Sequence, residues 1–214
     1  MIRRIKIENY KSLRQAEVEL RPLTVIFGPN AAGKSNLFDA LNLVARIVTS
    51  RNLKEAFDQH RGLPLESVHY SKGSFADLLK KDTHRIAFEI DVDLSDDVVE
   101  DIEQRIRELR KGIDASDGEG ETRGKTRIKE RSLRYRIELE IHSKSGVLRV
   151  MDERLVALRK TARVEKARTP FIEKVGNKLS LRMEGQAHPT LHEIGLDYTI
   201  ASTPLYVPHY PHLS

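Results

Sequence analysis

The chain contains no cysteine. Disulfides, thiolate zinc sites and cysteine nucleophiles are thereby excluded, and a reducing, cytoplasmic setting fits. No stretch approaches the roughly 20 apolar residues of a membrane-spanning helix. The N-terminus, MIRRIKIENYKSL, is charged where a signal peptide would be apolar. No internal repeat is evident. Charged residues make up 32% and hydrophobic residues 39% of the 214, ordinary values for a water-soluble domain with a real core. A formal charge of +5 permits contact with nucleic acid without demanding it.

Hydrophobic periodicity divides the chain. Ile5 and Ile7, then Ala16, Val18 and Leu20, alternate with polar residues and predict two half-buried strands joined at NYKS. LTVIF, residues 23–27, is a continuous apolar run that suits a central strand buried on both faces. Leu37, Leu41, Val44 and Val48 recur at helical spacing and predict a helix from about Ser35 to Thr49. A short helix is expected around LKEAFDQH, then an amphipathic strand in RIAFEIDVDL. Ser95 is placed to cap a helix with the apolar stripe Val99, Ile102, Ile106 and Leu109, ended by Gly112. Residues 112–132 have almost no apolar content and read as a flexible excursion. LRYRIELEIH, a SKSG turn and VLRVMDERLVAL follow, and GN between FIEKV and KLSLRM signals a hairpin. The last nineteen residues hold three prolines and no periodic pattern.

The chemistry sits after the first apolar run. Gly28, Gly33, Lys34 and Ser35 satisfy G-x-x-x-x-G-K-[ST] between an expected strand and an expected helix. In such a loop the backbone N–H groups wrap a pyrophosphate and the helix N-terminus adds partial positive charge. Lys34 would reach the β- and γ-phosphates, and the Ser35 hydroxyl would ligate Mg²⁺. The guanine-reading N-K-x-D sequence is missing, because Asn177-Lys178 continues Leu-Ser in a hairpin. ATP is therefore the expected nucleotide.

The segment IRRIKIENYKSLRQAEVELRPLTVIFGPNAAGKSNLFDALNLV resembles the amino-terminal head segment of the SMC/RecF/OLD group of ABC-type ATPases. Those proteins open with a strand, an N-[FY]-[KR]-S turn, a second strand and GPNGSGKSN before a D-A-[IL] helix. Here the turn is Asn9-Tyr10-Lys11-Ser12, the loop is GPNAAGKSN and the helix carries Asp39-Ala40-Leu41. SKGSFADLLKKD resembles the region after the first helix more weakly. The resemblance implies a nucleotide site made of Gly28, Pro29, Asn30, Ala31, Ala32, Gly33, Lys34, Ser35 and Asn36. Lys11 and Ser12 would lie beside it, Lys11 either touching phosphate or forming part of a solvated turn. Ala31 and Ala32 stand where glycine and a small residue are commoner.

The family's active site is composite: a Walker B Asp-Glu lies further along the chain, and a second head supplies a Ser-Gly-Gly signature. SDGE at 116–119 matches a signature in letters but has no helix after it. VLRVMDE imitates Walker B, with Asp152 and Glu153, yet Arg149 would put a charge inside a buried strand. No Q-loop glutamine can be assigned among Gln15, Gln59, Gln104 and Gln186. His188 with His192, His209 with His212, and the basic run from Arg123 to Arg136 read as surface features. The expected architecture is α/β: a P-loop ABC-ATPase-type lobe with a mixed sheet over 1–111, the excursion over 112–132, an antiparallel β segment over 133–184 and a tail over 185–214. The implied protein is an incomplete head, truncated or naturally split. Its implied partners are a second ATPase head, DNA and an effector protein, with no membrane. The alternative is a non-hydrolysing module that senses nucleotide and switches a protein partner.

Overall fold

A computed structural model of the chain describes residues 1–70, 75–114, 128, 130–161, 164–167, 169–183, 188–205 and 207–213. The predicted opening hairpin forms from β1 (Ile2–Tyr10) and β2 (Leu13–Glu19). After it come α1 (Lys34–Thr49), α2 (Leu53–Asp58), a short 3-10 turn at Pro64–Ser67 and α3 (Phe75–Leu78). Next are β3 (Thr83–Asp93), α4 (Asp96–Asp114), β4 (Ser132–His142) and β5 (Leu148–Thr161). The chain finishes with β6 (Val164–Ala167), β7 (Ile172–Val175), β8 (Lys178–Leu181), β9 (Thr190–Glu193) and a 3-10 turn at Ile200–Ser202.

The strands make one sheet in the order β2-β1-β3-β4-β5-β7-β8-β9, with β6 paired to β5. Every strand pairing among the described residues is antiparallel. This corrects the expected mixed sheet, and it joins the strands of 1–111 and 133–184 in a single ladder. One apolar row crosses it in register: Val18, Ile5, Ile90, Tyr135, Leu155, Ile172 and Leu181. Leu37, Ala40, Leu43, Val44 and Ile47 of α1 join the same core, with Leu53, Ala56 and Phe57 of α2. Each large side chain buried there contributes roughly 1.5–3 kcal/mol.

The opposite face of β1, β3 and β4 is charged, the arrangement an antiparallel sheet permits when one side is uncovered. Asp91 is the centre of this lattice. Its carboxylate accepts two bonds from Arg134, both 2.7 Å, and one from Arg4 Nε at 2.9 Å. Burial pushes the Asp91 carboxyl up, but the guanidinium bonds of Arg134 and Arg4 outweigh it and hold it below the usual carboxylate range. Arg136 bonds Glu138 and lies 3.6 Å from Glu8, so these arginines of the basic run serve the sheet.

Residues 23–27 overturn a second expectation. LTVIF is not a strand, and Leu23, Val25 and Phe27 are 84%, 74% and 89% exposed. Only Ile26 packs on the core. The reason is topological: β1 already has β2 on one edge and β3 on the other. The edges left open in the described sheet, at β2 and β9, are outer ones, so the run has no central place beside β1 of the kind its composition suits. In α4, Val99, Ile102 and Ile106 are buried, Leu109 is 41% exposed, and the helix continues past Gly112 to Asp114. Most of the 112–132 excursion, including SDGE, lies outside the described residues; Ile128 within it is buried against α4.

Candidate functional site

The loop 28–33 hands the chain from the exposed run into α1. Gly28 and Gly33 have φ of 151° and 90°, and Ala31 takes φ 64°, a left-handed conformation that costs a non-glycine residue roughly 1–2 kcal/mol. Gly33 is the N-cap of α1, and the first intrahelical bond runs from Leu37 N–H to Gly33 O at 3.0 Å. The N–H groups of Gly33, Lys34, Ser35 and Asn36 therefore have no acceptor within the helix. No acidic residue occupies the first turn to compete for them. Gly28, Pro29, Asn30, Ala31, Ala32 and Ser35 are exposed, and Gly33, Lys34 and Asn36 half-buried, so the donors border solvent. Such a set of convergent N–H groups at a positive helix end suits an anion.

The side chains are arranged around that end. Lys34 Nζ donates to Gly28 O and Pro29 O, both at 2.7 Å, curling over the loop. Asn36 Nδ2 donates to Ser12 Oγ at 2.7 Å, which ties the β1–β2 turn to the first turn of α1. A Cβ at Gly33 would stand 2.9 Å from Ser12 Oγ and 3.1 Å from Leu13 Cδ2, so a larger residue would push that turn away. The turn itself carries Asn9 and Lys11 at φ 58° and 45°. Thus the fold sets Ser12 against the end of the loop, with Lys11 beside it in the same turn.

Lys11 has partners that the sequence reading did not assign. Its ammonium is 2.9 Å from Asp39 Oδ2, 3.2 Å from Arg61 O and 5.5 Å from the centre of the Tyr10 ring. Asp39 lies four residues after Ser35, hence on the same helix face, and that spacing was the signal available in the sequence. Beneath them Tyr10 Oη and His60 Nε2 are 2.6 Å apart in the core. Burial, with a smaller contribution from Lys11, holds the His60 imidazole below its usual value. Burial and the Asp39 charge push the Tyr10 hydroxyl up.

The Walker B look-alike lies elsewhere. Glu153 is fully buried in the middle of β5. It accepts bonds from Tyr135 Oη at 3.0 Å and from the N–H groups of Ile200 at 2.7 Å and Ala201 at 2.9 Å. Thr199 beside them donates to Ile47 O near the far end of α1. Twelve residues of helix separate Ile47 from Ser35, about 18 Å. Glu153 therefore clasps the tail to the sheet, and Arg149 is exposed and bonded to Gly195 O. Among the described residues no group of three or more His, Cys, Asp or Glu side chains is placed to hold a metal ion. His212 stacks on Phe171, ring centres 4.7 Å apart. No described helix is long and apolar enough to cross a membrane.

A glycine-bearing loop, an inward-curled lysine and a following serine at a helix N-terminus define a P-loop nucleotide-binding protein. The chain belongs to the AAA ATPase domain family, whose pattern matches residues 1–194. It is similar to the OLD nuclease of Thermus scotoductus, 41% identical over an alignment of 86 positions that covers 35% of this chain and 16% of that protein. It is also similar to structural maintenance of chromosomes protein 1 of Schizosaccharomyces pombe, 34% identical over 77 residues, 33% of this chain and 6% of the other. The chain thus spans a small fraction of the length of either relative.

Proposed function

We propose that this chain is the ATP-binding, amino-terminal part of an SMC/RecF/OLD-like head, in which ATP bridges two heads and hydrolysis separates them. The observation that carries this reading is the loop from Gly28 to Asn36, open at the N-terminus of α1 with Lys34 and Ser35 beside it. Its unpaired N–H groups and the absence of a first-turn acid fit a polyphosphate. Lys34 would neutralise the β- and γ-phosphates, Ser35 would hold Mg²⁺, and Lys11 and Ser12 border the loop. Bound Mg²⁺ would neutralise developing phosphate charge. Activation of the attacking water falls to an acidic pair in the second half of the head, since Glu153 is committed to the distant clasp and Asp152 stands next to it in β5.

The exposed run 23–27 supports a second half of the head as partner, because Leu23, Val25 and Phe27 would gain the second buried layer their composition suits. DNA and an effector protein are further proposed partners, in DNA repair, recombination or phage defence within the cytoplasm. A second reading, a nucleotide-sensing module without turnover, is favoured by the distance of Glu153 from Ser35. Calorimetric titration with Mg-ATP tests the site. Lys34→Ala should weaken binding about a hundredfold through the loss of charge-assisted bonds. Unchanged affinity in that variant would refute the assignment. Fast hydrolysis by this chain alone would exclude the module without turnover.

A further inference from the structure

We propose that Lys11 acts on the nucleotide loop through Asp39, as a positioning residue that fixes the β1–β2 turn against α1, and does not itself move onto phosphate. This rests on reading Gly28–Asn36 as the polyphosphate site. The ammonium is already satisfied on three sides, by the Asp39 carboxylate, the Arg61 carbonyl and the face of Tyr10. The Lys11 and Asp39 side chains are only 13% and 22% exposed. Transfer of the ammonium to an exposed loop would strand a largely enclosed carboxylate, and such stranding is strongly unfavourable.

The surrounding bonds show what the pair holds in place. Lys11 N–H donates to Ser67 O at 2.8 Å, His69 N–H donates to Asn9 O at 2.8 Å, and His69 Nδ1 lies 2.6 Å from Lys11 O. Residues 67–69 thus grip the outer side of the turn, and Asp39 grips its inner side. The next residue, Ser12, receives the Asn36 amide and lies against Gly33. A turn released from Asp39 would withdraw Ser12 from the two residues at which the loop becomes helix. The N–H groups of Gly33 through Asn36 would then lose their fixed direction, and preorganised donors are what make such a site effective.

The test compares the wild-type chain with Lys11→Gln, Asp39→Asn, the double variant and the charge exchange Lys11→Asp with Asp39→Lys, by calorimetric titration with Mg-ATP and Mg-ADP. Aspartate tolerates the left-handed conformation at position 11. Each single change should weaken both nucleotides by the same factor, about tenfold, and the double variant should be no weaker than either. The charge exchange should restore most of the affinity, which a direct phosphate contact forbids, because it would put a carboxylate beside the phosphate. The proposal is overturned if Asp39→Asn leaves binding unchanged or tighter while Lys11→Gln weakens it. A charge exchange weaker than the single variants overturns it equally. Circular dichroism verifies that each variant is folded, and the isosteric Asp39→Asn carries the test if Lys11→Gln is not. Amide exchange at Gly33–Asn36 in the nucleotide-free chain gives a readout independent of binding. It should quicken in Asp39→Asn and slow again in the charge exchange; equal rates throughout would exclude the positioning role even if the loop bound no nucleotide at all.

Discussion

Glu153 makes the stability of this protein depend on pH in an unusual direction. Burial pushes its carboxyl from the ordinary 4.5 up to about 7, against the N–H groups of Ala201 and Ile200 and the Tyr135 hydroxyl, which favour the charged form. A carboxyl with a raised folded-state value binds its proton more tightly in the native chain than in the unfolded one. Its contribution is most favourable below pH 4.5, weakens as pH rises from 4.5 to about 7, and is constant above that. The gap corresponds to about 3 kcal/mol. Urea unfolding of the wild type and Glu153→Gln at a series of pH values between 4.5 and 8.5 measures it. The difference between the two removes groups that titrate in both proteins, including His60, whose lowered value acts in the opposite sense over the same range. Glutamine can keep the Tyr135 and Ala201 bonds on its oxygen but turns its NH₂ toward Ile200 N–H. A loss of about 1–3 kcal/mol is expected at low pH, and it should shrink or reverse above pH 7. Parallel pH profiles for the two proteins would refute the reasoning.

Two further outcomes test the fold. Asp91→Asn should cost about 1–3 kcal/mol at neutral pH, because Arg134 and Arg4 lose their charge-assisted bonds to Asp91 while Arg4 keeps Glu17 and Glu89. Since the Asp91 value is lowered in the folded chain, that penalty should persist down to the usual carboxylate range and vanish only as pH falls through the lowered value; thermal melts at pH 7 and pH 2.5 measure it. Phe27→Ser, at an 89% exposed position, should change the urea midpoint by less than about 0.5 kcal/mol equivalent, whereas the fully buried Leu43→Ala should lose about 2–5 kcal/mol. A Phe27 variant as damaged as the Leu43 variant would mean that the run 23–27 is packed.

Local patterns in the sequence led to most of these elements. Alternation at Ile5 and Ile7 marked β1, the 3.6-residue stripe through Leu37 and Val44 marked α1, and Asn177 after Gly176 marked the β7–β8 hairpin. Each of these signals is local, because a side chain's face is set by its own backbone period. The expectation for LTVIF failed because burial depends on neighbours. An apolar run states only that it suits a buried setting, while the occupancy of both β1 edges removes the central place beside that strand. The nucleotide loop was legible because its glycines, lysine and serine act within a few residues of one another. The spacing of Asp39 from Ser35 gave its helix face alone; its pairing with Lys11, like the Glu153 clasp, joins residues far apart in sequence whose meeting follows from tertiary structure. Glu153 in particular mimicked a catalytic acid by its neighbours in sequence alone.

The order of the strands also governs how the chain is made. The hairpin β1–β2 leaves the ribosome before β3, and Ile5 pairs with Ile90, a partner 85 positions later. At roughly 5–20 residues per second that partner emerges about 4–17 s after the hairpin. A lone two-stranded hairpin is marginal in water, and α1 meanwhile has only that hairpin and the short α2 to pack upon. The later strands are different, because β4 with β5 and β7 with β8 are joined by short turns between neighbours in the sheet. The nucleotide loop is therefore synthesised well before the platform that holds it, and its apolar helix face must wait unprotected through the interval.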